Sequence, residues 1–149
     1  MIHVLAAAAL LAQQPTPDAF QEIQRSHIEA NVPSPDAFDR LLTRDLEAYF
    51  KANTGKLIRV KHELLRDGPT QSGVAYPKFY LWVQASEGKR VAEQGAIRVA
   101  AVERKEFQVT DFLAEADIRA NPAALNKVFP AAVSERIKSK LGIHAPEAP

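Results

Sequence analysis

Cysteine is absent from this chain, which removes disulfides, thiolate catalysis and cysteine-based zinc sites together. A surplus of one charge is missing as well: 19 Lys and Arg stand against 18 Asp and Glu. So close a balance gives no electrostatic footprint for nucleic acid or an anionic membrane, and neither is expected as a partner. Histidine is scarce. His3, His27, His62 and His144 are scattered, with no HExxH pair and no short His-x-His spacing, so no metal site and no cofactor is expected. No phosphate-cradling GxxxxGKS loop, no GxGxxG turn and no GxSxG elbow around a serine occurs.

Long apolar runs are also lacking. Val4–Ala12 is a short one at the start, well under the ~20 residues that span a bilayer. Its length fits the apolar centre of a secretory signal peptide covering residues 1–12, with Ala12 as cleavage residue and polar Gln13-Gln14-Pro15 following. No Lys or Arg precedes the run, and Leu10 stands where a small residue is preferred. The expectation is a periplasmic or secreted protein with no stable membrane insertion after processing. The alternative is a docked N-terminal helix on a cytoplasmic protein.

What is present is one domain's worth of chain, 149 residues, enough to bury a real core. Residues 13–142 are expected to form a single α+β domain, and 143–149 a disordered Pro- and Ala-containing tail. Thr16-Pro17-Asp18 starts one helix and Ser34-Pro35-Asp36 a second, each with a capping residue, a proline in the first turn and an early acid. Phe20, Ile23, Gln24, His27 and Ile28 fall on one stripe of the first. Phe38, Leu41, Leu42, Leu46, Tyr49 and Phe50 give the second a broad apolar face, closed by Asn53 and Gly55.

Lys56–Asp67, Gly73–Ala85, Arg90–Arg104 and Glu106–Leu113 are rich in β-branched and aromatic residues and bounded by turn residues. Their connections are too short for crossovers, so the four strands read as an antiparallel meander. Period-two alternation puts Ile58, Val60, Leu64, Phe79, Leu81, Val83, Ile97, Val99, Ala101, Phe107, Val109 and Leu113 toward the helices. Arg59, Lys61, Glu63, Tyr76, Lys78, Tyr80, Trp82, Arg98, Gln108 and Thr110 go to the other face. Short C-terminal helices follow. The last carries Val133, Ile137 and Leu141 at four-residue spacing, with Arg136, Lys138 and Lys140 where its dipole favours cations.

Two helices followed by a four-stranded meander, over Pro17 to Leu113, resembles the cystatin-like and nuclear-transport-factor-2-like group of cone-shaped α+β folds, which includes ketosteroid-isomerase-like proteins. The resemblance implies a curved sheet wrapped around a helix, often with an apolar pocket for a small molecule. Its members are enzymes, ligand binders or interaction modules, so it does not choose among them. Cystatin-type inhibitors carry a Gln-x-Val-x-Gly hairpin. Here Gln84-Ala85-Ser86-Glu87-Gly88 keeps the ends but puts Ser86 and Glu87 in the centre, against protease inhibition.

Two groups of residues carry the functional expectations. His62 and Asp111 are read as titratable groups on the helix-facing side of the sheet, where an isomerase- or hydrolase-like enzyme would use one as general base. The first and last strands of a meander lie about 14 Å apart at ~4.8 Å per spacing, which opposes a direct dyad. The bland reading is a hydrogen-bonded His62 and an Asp111 satisfying backbone donors. Tyr76, Lys78, Tyr80, Trp82 and Arg98 are the candidate binding residues on the other face, an aromatic and cationic surface of the kind enriched at interfaces. It would serve a homodimer or a protein partner, unless the C-terminal helices fold back over it. The leading expectation is thus a small exported, non-catalytic binding or interaction module.

Overall fold

A computed structural model describes residues 16–144. The export reading of residues 1–12, and all but the first two positions of the 143–149 tail, fall outside the described residues. The fold is α+β. Helices α1 (Pro17–Asn31) and α2 (Pro35–Thr54) precede strands β1 (Arg59–Leu64), β2 (Lys78–Glu87), β3 (Arg90–Val102) and β4 (Glu106–Ala114). Then come α3 (Glu115–Ala120), a 3-10 helix over Pro122–Lys127, and α4 (Ala131–Leu141). The sheet is antiparallel throughout, in the order β1-β2-β3-β4.

Local chemistry accounts for the element ends. The Thr16 hydroxyl accepts a hydrogen bond from Ala19 N at 3.3 Å and starts α1, whereas Ser34 makes no side-chain cap and leaves the start of α2 to Pro35. Gly55 stops α2 at φ 73°, in the left-handed region that costs glycine nothing. At the β3–β4 corner Glu103 and Arg104 hold φ of 54° and 62° without being glycine. Asn31, buried at the end of α1, supports that strained turn: its Oδ1 accepts from Glu103 N and its backbone carbonyl from Arg104 N. The rest of α1 is mostly exposed, Phe20 and Ile23 included.

Two apolar layers sandwich the sheet. On one side Leu41, Leu42, Leu46 and Phe50 of α2 meet Ile58, Val60, Phe79, Leu81, Val83, Ile97, Val99 and Phe107. Phe38 sits edge-on to Phe79 and Phe107, with centroids at 5.0 and 5.1 Å, and Phe50 edge-on to Phe112 at 5.2 Å. The sequence reading of this layer holds up to Val109. On the other side Tyr80, Trp82 and Ala96 are covered by Ile118 of α3, Leu125 and Phe129 beyond it, and Val133 and Ile137 of α4. Ile143, at the start of the expected tail, packs on this second layer.

A bulge corrects the far half of β4. Val99 pairs with Val109, but Arg98 pairs with Asp111, so β4 carries one extra residue there. Every side chain beyond it changes face. Leu113, expected toward α2, packs instead in the second layer, and Phe112 takes its place beside α2.

Candidate functional site

The bulge also separates the two expected general bases. His62 stays on the α2 side, half-buried, its Nε2 3.1 Å from the Thr43 hydroxyl. Burial pushes its pKa below the ordinary value, with the Asp39 charge opposing. Asp111 is on the opposite face, where its carboxylate meets the Arg98 guanidinium at 2.5 Å and both side chains are 29% exposed. A single site cannot use both groups. On the α2 side of the sheet Leu42, Leu46, Leu81, Val83, Ile97 and Val99 are wholly buried.

The five candidate binding residues are also divided. Tyr80 and Trp82 are only 5% and 9% exposed, because α3, α4 and the segment between them cover that part of the face. Tyr80 Oη lies 2.6 Å from the Thr70 hydroxyl, and its ring packs edge-on against Phe129. Arg98 is tied to Asp111, to Thr110 Oγ1 at 2.9 Å and to the Val128 carbonyl at 3.3 Å. Lys78 donates to the Tyr76 carbonyl at 2.7 Å, and burial together with the nearby Arg98 charge lowers its pKa. Only Tyr76 presents its ring to solvent, at 41%. The aromatic surface expected for a homodimer or partner is therefore occupied largely by the chain's own helices. The narrow stripe Val133, Ile137, Leu141 is what draws α4 onto it.

A different site lies where that cover stops. Side chains on this face stand in rows across the strands. Glu63, Trp82, Ala96 and Leu113 pair successively from β1 to β4 and form one row. Lys61, Gln84 and Gln94 pair from β1 to β3 and form the next. Lys140, near the end of α4, reaches Glu63 and Trp82 of the first row. Together the second row, Glu115 from α3 and Lys140 and Leu141 from α4 line an open groove of about 450 Å³ with Trp82 in its floor. His62 also lines it.

Internal bonds set the groove's electrostatics. Lys140 Nζ is 3.1 Å from Glu63 Oε1 and 5.8 Å from the centre of the Trp82 ring, a cation–π distance. Glu115 accepts from Gln94 Nε2 and from Arg119, the latter at 2.9 Å. Both acids of the groove are thus neutralised from within. Lys61 and Gln84, directly opposite one another on β1 and β2, have no such partner among the described residues.

Gly95 makes this wall. A Cβ there would lie 2.2 Å from the Leu113 carbonyl oxygen and 2.9 Å from Ala114 Cα, so only glycine lets β4 pass close enough to deliver Glu115 to Gln94. Sequence reasoning assigned Lys140 to the helix dipole and Gln84 to a hairpin, and gave Gln94 no role. A second bulge explains the difficulty: Glu87 pairs with Arg90, but Gln84 pairs with Gln94, where an unbroken hairpin would set it against Glu93.

Comparison with protein-family models, with curated proteins and with solved structures finds no match for this chain.

Proposed function

We propose that this chain is a small non-catalytic binding module whose site is the polar groove beyond the end of α4. One observation carries the reading. The covered row of the sheet is built around Trp82, Ala96 and Leu113, and the next row, left open, holds Lys61, Gln84 and Gln94. Amide and ammonium groups with capacity to spare, beside an indole, are groups that orient a small polar ligand. The volume, about 450 Å³, suits a small molecule.

A cystatin-like or nuclear-transport-factor-2-like assignment rests on element order alone, two helices followed by a four-stranded antiparallel meander. Export rests on Val4–Ala12 and the polar residues after it. N-terminal sequencing of protein taken from its native cell checks it: a start near Gln13 agrees, and a retained Met1 opposes.

The groove is tested by thermal-shift screening of polar fragments on the native protein and on Gln84→Tyr, which fills the groove. Ligands of the native state raise the melting temperature by mass action. Fragments that stabilise the native protein and not the variant support the reading. Equal stabilisation of both, or none of either, contradicts it.

A further inference from the structure

We infer that the groove takes a low-molecular-weight carboxylate that also carries a hydrogen-bond donor, an inference that rests on the groove being the binding site. The polarity of the open row is graded. At its β1 end the Lys61 ammonium has no carboxylate partner among the described residues, and the Gln84 amide stands directly opposite. Lys140, the other cation of the groove, is paired with Glu63 at 3.1 Å, so among the described residues Lys61 carries the unpaired charge.

At the β3 end the charge gives way to an amide. Gln94 spends one of its two Nε2 hydrogens on Glu115, and its amide oxygen is an acceptor beside Gln84. The row therefore offers positive charge over β1, an amide able to donate or accept over β2, and the Gln94 acceptor over β3, about 10 Å from the first at ~4.8 Å per strand. A carboxylate seated between Lys61 and Gln84, with an N–H or O–H directed to Gln94, satisfies each group in turn. A cationic ligand finds no free acid, since Glu63 is held by Lys140 and Glu115 by Gln94 and Arg119. Trp82 closes the floor, where apolar atoms of the ligand remove its exposed edge from water.

The probes are N-acetylglycine, which has both features, and N-acetylglycinamide, its neutral isostere. Each is titrated into ¹⁵N-labelled protein while the Trp82 indole N–H and the Gln84 and Gln94 side-chain amides are followed by NMR. The expected result is saturable shifts at all three with the acid and much smaller ones with the amide. Lys61→Gln, a change at an exposed strand position, is expected to weaken the acid by about threefold to fivefold, the scale of one exposed ion pair. Equal binding of acid and amide, or acid binding unchanged in Lys61→Gln, overturns the carboxylate and leaves the groove standing. Failure of both probes to move these resonances overturns the carboxylate as well, and the fragment screen then decides separately whether the groove binds anything.

Discussion

Asp45 and Glu47 stand two residues apart on α2 and reach opposite edges of the same sheet. Asp45 Oδ2 accepts from Phe107 N on β4 at 2.7 Å, and Glu47 Oε2 accepts from Val60 N on β1 at 3.4 Å. Successive alternate residues on a helix point to different sides, so two carboxylates at this spacing span a sheet that curls around the helix. Each occupies a backbone donor on an edge strand that would otherwise be open to another chain. The helix is a strap as well as a core element.

Removing the better strap is expected to cost more. Asp45→Ala leaves the Phe107 amide without its acceptor and should lower stability by about 1–3 kcal/mol, whereas Glu47→Ala, with its longer bond, should cost under ~1 kcal/mol. Urea denaturation measures both. Hydrogen exchange at Phe107 should quicken in the first variant only.

His62 gives the protein a pH dependence whose sign follows from burial. Its folded-state pKa lies below the ordinary 6.5, so the unfolded chain takes up the proton more readily. Its contribution is complete above about pH 6.5 and is lost as the pH falls toward the folded value. Stability measured by denaturant midpoint should therefore decline on acidification below that point. His62→Gln, which keeps a group able to bond Thr43, should flatten this part of the curve.

Gly95→Ala forces a methyl group against the Leu113 carbonyl and Ala114. The expected cost is about 1–3 kcal/mol or more, typical of overpacking a tight site, with loss of the Gln94–Glu115 bond as α3 is pushed away. The check is a melt together with the Gln94 side-chain amide shift. An equivalent change at Gly88, where a Cβ meets nothing within 4 Å, strains only its backbone.

Trp82→Ala should act as a core truncation, costing about 3–5 kcal/mol, since α4 rests on this ring. Sedimentation should show the same oligomeric state before and after. A change in association with little loss of stability would return Trp82 to the role of an exposed interface residue.

The layer facing α2 was legible because alternation at period two and a 3.6-residue stripe both report burial directly. Phe79, Leu81 and Val83 could be placed against Leu42 and Leu46 from pattern alone. The placement failed at Asp111 and Leu113, where one extra residue in β4 inverts the alternation without any local mark in the sequence. The groove was illegible for a related reason. Lys61, Gln84, Gln94, Glu115 and Lys140 are brought together by two bulged registers and by the point at which α4 ends, none of which is a property of neighbouring residues. Tyr80 and Trp82 looked like a surface because an amphipathic sheet face reads the same whether a partner or the chain's own C-terminus covers it.

The most direct measurement is an NMR map of where polar fragments bind the native protein. The account predicts that saturable hits move the Trp82 indole together with the Gln84 and Gln94 side-chain amides. Saturable binding that shifts α1 or the β2–β3 turn and leaves those three signals unmoved would contradict it.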